Sequence, residues 1–179
     1  NYTFVSIKNL LMKKIILSAI MLMGLAFTAQ AQDISKNALG LRLGDNDGFG
    51  GELSYQRGLG DNNRLELDLG WRNSNNVDAL KLTGIYQWVW NIEGGFNWYA
   101  GVGGGVGSWS YDNDFNNNND IDDSGAFVFV AGDLGIEYNF NEAPIQLALD
   151  IRPELYFNSD NFREDNFGPD LALSIRYRF

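Results

Sequence analysis

Asp112, Asp114, Asn116, Asn118 and Asp120, with Asp123 in the twelfth place, set carboxylates and amides at alternate positions of one polar run. Hard oxygen ligands at that spacing suit calcium, and the order echoes a calcium-binding loop. Two positions depart from the pattern. Asn117 stands sixth, where such loops turn on Gly, and Asp123 is one methylene shorter than the usual Glu. Asp112, Asp114, Asn116, Asp120 and Asp123 are therefore the metal candidates, and Ca2+ is the one cofactor the sequence suggests. The plainer explanation is a solvated loop tip. Asp45-Asn46-Asp47-Gly48 is a shorter fragment of the same kind. Catalysis has less to work with. The chain has no His and no Cys, so Ser/His and Asp/His hydrolysis lacks its proton shuttle. Carboxylates alone can act, as in glycoside hydrolysis, and Asp133, Glu137 and Asp150 are the ones to name. Charges on one face of a strand are more often structural pairs, so no enzyme is expected. Without Cys there is also no disulfide framework, no thiolate metal site and no lipid anchor on cysteine.

The elements that carry these residues are strands. Leu171-Ala172-Leu173-Ser174-Ile175-Arg176-Tyr177-Arg178-Phe179 alternates apolar and polar and stops on an aromatic. Period two places successive side chains on opposite faces of a ribbon. Turn chemistry divides the chain into eight such stretches, at 38–44, 49–58, 64–72, 79–90, 96–109, 126–140, 145–157 and 170–179. Connections after the second, fourth and sixth are short. Those after the fifth and seventh are the longest and most polar. Strands near the length of a tilted membrane span, with short turns at one end and longer loops at the other, predict an all-β, eight-stranded, antiparallel, up-and-down transmembrane β-barrel. Pro153 removes a ladder donor within the seventh stretch and predicts a bulge or the membrane exit there.

Met12-Lys13-Lys14, the apolar run to Phe27 and Ala29-Gln30-Ala31 have the layout of a secretory signal peptide. The expected organisation is an upstream extension over 1–11, a leader over 12–31 and the barrel over 32–179. The whole chain has 13 basic and 23 acidic residues. Lys8, Lys13 and Lys14 precede residue 32 and no acid does, leaving 10 basic against 23 acidic, or −13. That charge argues against a nucleic-acid partner.

Alternation does not say which face is outside, since a soluble ligand carrier also alternates, with its apolar side inward. Volume favours lipid outside: an eight-stranded interior is only just filled by its own side chains, and the apolar face carries too many Leu, Trp and Tyr to fit. Gly101, Gly103, Gly105 and Gly107 share the other face of the fifth stretch, where missing side chains make room. Aromatics also sort to strand ends. Tyr55, Trp88, Trp90, Phe96, Trp98, Tyr138, Phe140, Tyr177 and Phe179 are assigned to one boundary, and Trp71, Trp109, Tyr111, Tyr156 and Phe157 to the other. The lumen then receives Arg42, Arg72, Lys81, Arg152, Arg176 and Arg178 against Glu52, Glu66, Asp68, Asp133, Glu137, Asp150 and Glu154. Buried charges must be paired, which predicts a salt-bridged plug, with a narrow pore as the alternative.

With its leader, eight amphipathic stretches and terminal strand Leu171 to Phe179, the chain resembles the small eight-stranded outer-membrane barrels of Gram-negative bacteria, the OmpA/OmpX-like type. The resemblance implies outer-membrane lipids as surroundings and recognition of the last strand by the barrel-assembly machinery. It implies a structural or surface-interaction role and leaves any extracellular ligand open, because a fold does not carry a function. Acidic outer loops, including Asp78, Asp160, Glu164 and Asp165, would attract cations and basic partners.

Overall fold

The computed structural model describes residues 34–44, 50–74, 77–111, 123–157 and 166–179. Residues 1–33, where the extension and leader are expected, and most of the long loops lie outside them. Eight strands follow in order: β1 (Asn37–Gly44), β2 (Gly51–Gly58), β3 (Asn63–Ser74), β4 (Val77–Glu93), β5 (Phe96–Tyr111), β6 (Asp123–Asn139), β7 (Ile145–Phe157) and β8 (Phe167–Arg178). Each pairs antiparallel with its sequence neighbours, and β1 pairs with β8 from Ala38↔Arg178 to Gly44↔Ala172. Closure leaves no strand edge, which is what lets a sheet cross a lipid bilayer with every ladder bonded internally.

The two faces are the reverse of a soluble protein's. Arg42, Lys81 and Arg152 are 0% exposed, whereas Leu171 is 56%, Val102 56% and Leu39 43% exposed. Charged groups are almost never fully buried unless paired, and so large a contiguous apolar surface marks contact with something other than water. The soluble carrier is thereby excluded. One end of this band is aromatic. Trp90 stacks on Trp98 with centroids 4.3 Å apart, Phe96 meets Tyr138 at 4.5 Å and Tyr138 meets Phe140 edge-on at 4.8 Å. Their strands pair directly there, as Trp90↔Trp98 and Phe96↔Tyr138.

Two local expectations are corrected. The fourth stretch runs past Trp90 to Glu93, because Asn91 keeps the hairpin together. Its Nδ2 donates to the carbonyls of Gly94 and Phe96 and to Asn97 Oδ1. The turn narrows to Gly94–Gly95, with Gly94 at φ 55° and a register irregularity between Asn91 and Glu93. Pro153 produces no bulge. The β6–β7 register is the same on either side of it, at Ala131↔Glu154 and Leu134↔Ile151, and only the intervening pairs drop out. A proline lacking its N–H can miss one ladder rung without displacing the strand.

Candidate functional site

Period two turns one residue in two toward the axis, and the inward set is mostly ionic. Arg42 (β1) donates from Nη1 to Glu52 Oε2 at 3.0 Å and Asp170 Oδ2 at 2.6 Å. Its Nη2 and Nε both reach Asp150 Oδ1, at 2.6 and 3.1 Å. Lys81 (β4) holds both Glu154 oxygens, at 2.8 and 3.0 Å. Arg152 (β7) spans the lumen: Nη2 donates to Glu66 Oε1 at 2.7 Å and Nη1 to Asp68 Oδ2 at 2.8 Å. Both acceptors stand on β3, four strands from β7 in either direction around the barrel, so this guanidinium group bridges a diameter. Arg176 (β8) donates to Glu66 Oε2 at 3.0 Å and Ser54 Oγ at 2.9 Å. Nearer the short turns, Arg64 pairs with Glu137 at 2.6 Å and lies 4.8 Å over the Tyr99 ring. Gln87 ties Asp133 to Glu66, at 2.5 and 3.2 Å. Charge-assisted, forked contacts of this kind are the strong hydrogen bonds of proteins.

Among the described residues, five buried bases face eight buried acids. Glu52 Oε1, Asp68 Oδ1 and Asp133 Oδ1 have no hydrogen-bond donor, and Arg64 Nη2 and Arg152 Nε have no acceptor. Guanidinium and ammonium groups separate the carboxylates, and among the described residues no three are gathered as a metal ion would require.

Toward the long loops the lumen turns aromatic. Phe127, Phe129, Tyr156 and Trp109 are buried together with Ile85, Ala79 and Ala131. The Tyr156 hydroxyl donates to Glu154, and Lys81 Nζ sits 4.9 Å over the Phe129 ring. Room for the rings comes from β5. Gly107 faces Phe127 and Gly105 faces Phe129 in the ladder, and a Cβ at either glycine would strike the opposing ring at 2.2 and 2.6 Å. At the short-turn end Ile34, just before β1, packs against Val89, Tyr99 and Ala148.

The predicted lumen set is largely found. Arg42, Lys81, Arg152, Arg176 and all seven named acids are buried. Arg178 is not a lumen charge: its Nη2 clamps the β6–β7 turn through the carbonyls of Phe140 at 2.6 Å and Ala143 at 3.3 Å. Arg72 is half-buried at the long-loop rim. Arg64 and Asp170, absent from the expected set, are buried. Trp109 and Tyr156, expected at the lipid boundary, are 6% and 2% exposed and point inward, whereas Trp71 and Phe157 face out. Of the calcium candidates, Asp112, Asp114, Asn116 and Asp120 lie outside the described residues, and Asp123 opens β6 opposite Tyr111.

A closed eight-stranded barrel with an apolar exterior and an ion-paired interior has the fold of the small outer-membrane β-barrels. No protein-family model and no curated protein sequence matches the chain. Solved structures do. The N-terminal β-barrel domain of Pseudomonas aeruginosa OprF aligns over 84% of this chain and 100% of its own, at 14% identity and TM-score 0.56. Neisserial surface protein A (NspA) aligns over 80% and 94%, at 11% and 0.52. Ail, the attachment invasion locus protein of Yersinia pestis, crystallised with the heparin analogue sucrose octasulfate, aligns over 81% and 97%, at 15% and 0.51. At these identities the likeness is one of fold.

Proposed function

We propose that this chain is a non-enzymatic outer-membrane protein of a Gram-negative bacterium, a closed scaffold that holds its long loops outside the cell for structural or surface-interaction work. The observation that carries this reading is Arg152, which crosses the lumen to Glu66 and Asp68 at 2.7 and 2.8 Å. A channel would have to break those contacts and leave charges unpaired in a narrow interior, which is costly. The aromatic layer above it adds a second obstruction. The leader over 12–31 would direct export. The lack of His supports the absence of hydrolytic chemistry.

Planar-bilayer recording of the refolded protein tests the reading. A silent bilayer is expected, and steady single-channel steps would overturn the plug. A second reading, a narrow cation pore, draws support from the eight acids against five bases; it would show cation-selective steps. The acidic residues of the long loops favour cationic or neutral partners over a polyanion such as the heparin analogue bound by Ail. Calcium contact at Asp112, Asp114, Asn116, Asp120 and Asp123 is part of the same proposal. Calorimetric titration with calcium that releases no heat would remove it.

A further inference from the structure

We propose that a groove of about 640 Å3 at the long-loop rim of β3–β6 binds a neutral hexose ring. Trp71, Arg72, Asp78, Ser108, Ser110 and Ser124 are among the residues that line it. The groove lies where the outward face changes character. Leu80, Leu82, Val106 and Val128 are about half exposed and form the end of the apolar band. Beyond them, the outward positions of β4, β5 and β6 become Asp78, Ser108, Ser110 and Ser124, brought side by side by the pairs Asp78↔Ser110, Leu80↔Ser108 and Ser110↔Ser124. These short side chains leave a recess beside Trp71, which is 55% exposed. Gly125 borders the groove from the inward side, where the Trp109 indole lies 2.9 Å from the position a Cβ would take.

The lining sets the ligand class. A volume of this size with an aromatic wall and a few converging polar groups is the usual build of a small-molecule site. An acyl chain would strip water from three serine hydroxyls with nothing in exchange. A phosphate would meet the Asp78 carboxylate as well as Arg72, and an ammonium group the reverse. A sugar ring satisfies all of them: its C–H face lies on the Trp71 indole, and its hydroxyls both donate and accept toward the serines, Asp78 and Arg72. The same ring chemistry is offered by a free saccharide and by the headgroup of a glycolipid in the surrounding leaflet. The inference rests on the proposed membrane orientation, which quenching by brominated lipids tests separately.

The test is saturation-transfer NMR on the full barrel in zwitterionic amine-oxide micelles, with maltose and dodecyl maltoside as probes. Transfer to the sugar-ring protons is expected. Trp71→Leu, which keeps apolar bulk but removes the ring, should lower it by about five-fold, the scale of one aromatic contact. Ser108→Val combined with Ser110→Val should lower it similarly, and both variants should keep the gel-mobility shift on heating that marks a folded barrel. Stronger transfer to dodecyl maltoside than to maltose supports a glycolipid headgroup; equal transfer supports a free saccharide. No transfer to either probe overturns the proposal, as does unchanged transfer in a folded Trp71→Leu barrel. If that happens while the tryptophans remain quenched by brominated lipid, the groove assignment fails and the orientation stands.

Discussion

Replacing Arg152 by Met removes the charge that spans the lumen while keeping most of the side-chain volume. Arg152 is 0% exposed and donates to Glu66 and Asp68 at 2.7 and 2.8 Å, with Glu52 and Asp133 at 3.8 and 3.9 Å. Glu66 keeps Arg176, Gln56 and Gln87 as donors, and Asp133 keeps Gln87. Asp68 loses the 2.8 Å contact to Arg152 and has already one oxygen without a donor. Removing one partner of a buried pair costs about 3–5 kcal/mol, because the remaining charge stays desolvated. That is at least about a fifth of the ~5–15 kcal/mol typical of a folded domain. With a urea slope of about 2 kcal/mol/M, Arg152→Met should lower the unfolding midpoint by about 2 M, read by heat-dependent gel mobility and tryptophan fluorescence in micelles. Asp68→Leu added to Arg152→Met should recover part of the loss, since it removes the carboxylate left stranded; a double-mutant cycle isolates that coupling. An Arg152→Met barrel within about 1 kcal/mol of the parent, the range of an exposed pair, would refute the claim that these charges sit in a dry, interlocked interior.

Other outcomes follow from the same geometry. Phe129→Ala opens a hole in the aromatic layer and should cost about 3–5 kcal/mol, measured in the same unfolding assay. Gly103→Ala should prevent closure or severely weaken it, because its Cβ would stand 2.0 Å from the Gly84 carbonyl oxygen, which is backbone and cannot swing away; loss of the heat-shifted gel band reports this. Tryptophan fluorescence should be strongly quenched by brominated phospholipids, since Trp71 and Trp88 are 55% and 39% exposed on the apolar face. Fluorescence indifferent to bromine would mean that the apolar face does not meet lipid.

Strand alternation made the number of strands, their pairing order and most of the lumen readable from the residues. Asp150, Arg152 and Glu154 share a parity, and so do Glu52, Ser54 and Gln56. Trp109 and Tyr156 are misplaced by chemical type and correctly placed by parity, whereas Arg178 follows parity but lies at the strand end, where it reaches the β6–β7 turn. Tyr156 continues the Asp150–Glu154 series and Trp109 continues the glycine series of β5, so both had to face inward. Arg64 and Asp170 are likewise in phase with Glu66 and Arg176. Phe127 and Phe129 sit in the unbroken apolar run 126–131, which carries no alternation. Their placement depends on the match of Gly107 to Phe127 and Gly105 to Phe129, a small-against-large fit that exists only once β5 and β6 are in register. The groove beside Trp71 was illegible for the same reason, because its serines come from two strands and meet only through the ladder.

The residues that join across the interior lie far apart along the chain. Arg42 reaches Asp170 over 128 positions, Arg176 reaches Ser54 over 122 and Arg152 reaches Asp68 over 84. The contacts of Arg42 with Asp170 and of Arg176 with Ser54 cannot form until the last strand zips onto the first. Until that moment Arg42 has Glu52 of the neighbouring β2 within reach but not Asp150 or Asp170, and the interior keeps its water. Non-local pairing of this kind slows folding, and here it delays neutralisation as well. The geometry therefore ties dehydration of the interior to closure of the seam: the charges lose their water only where the last rungs bring their partners to them.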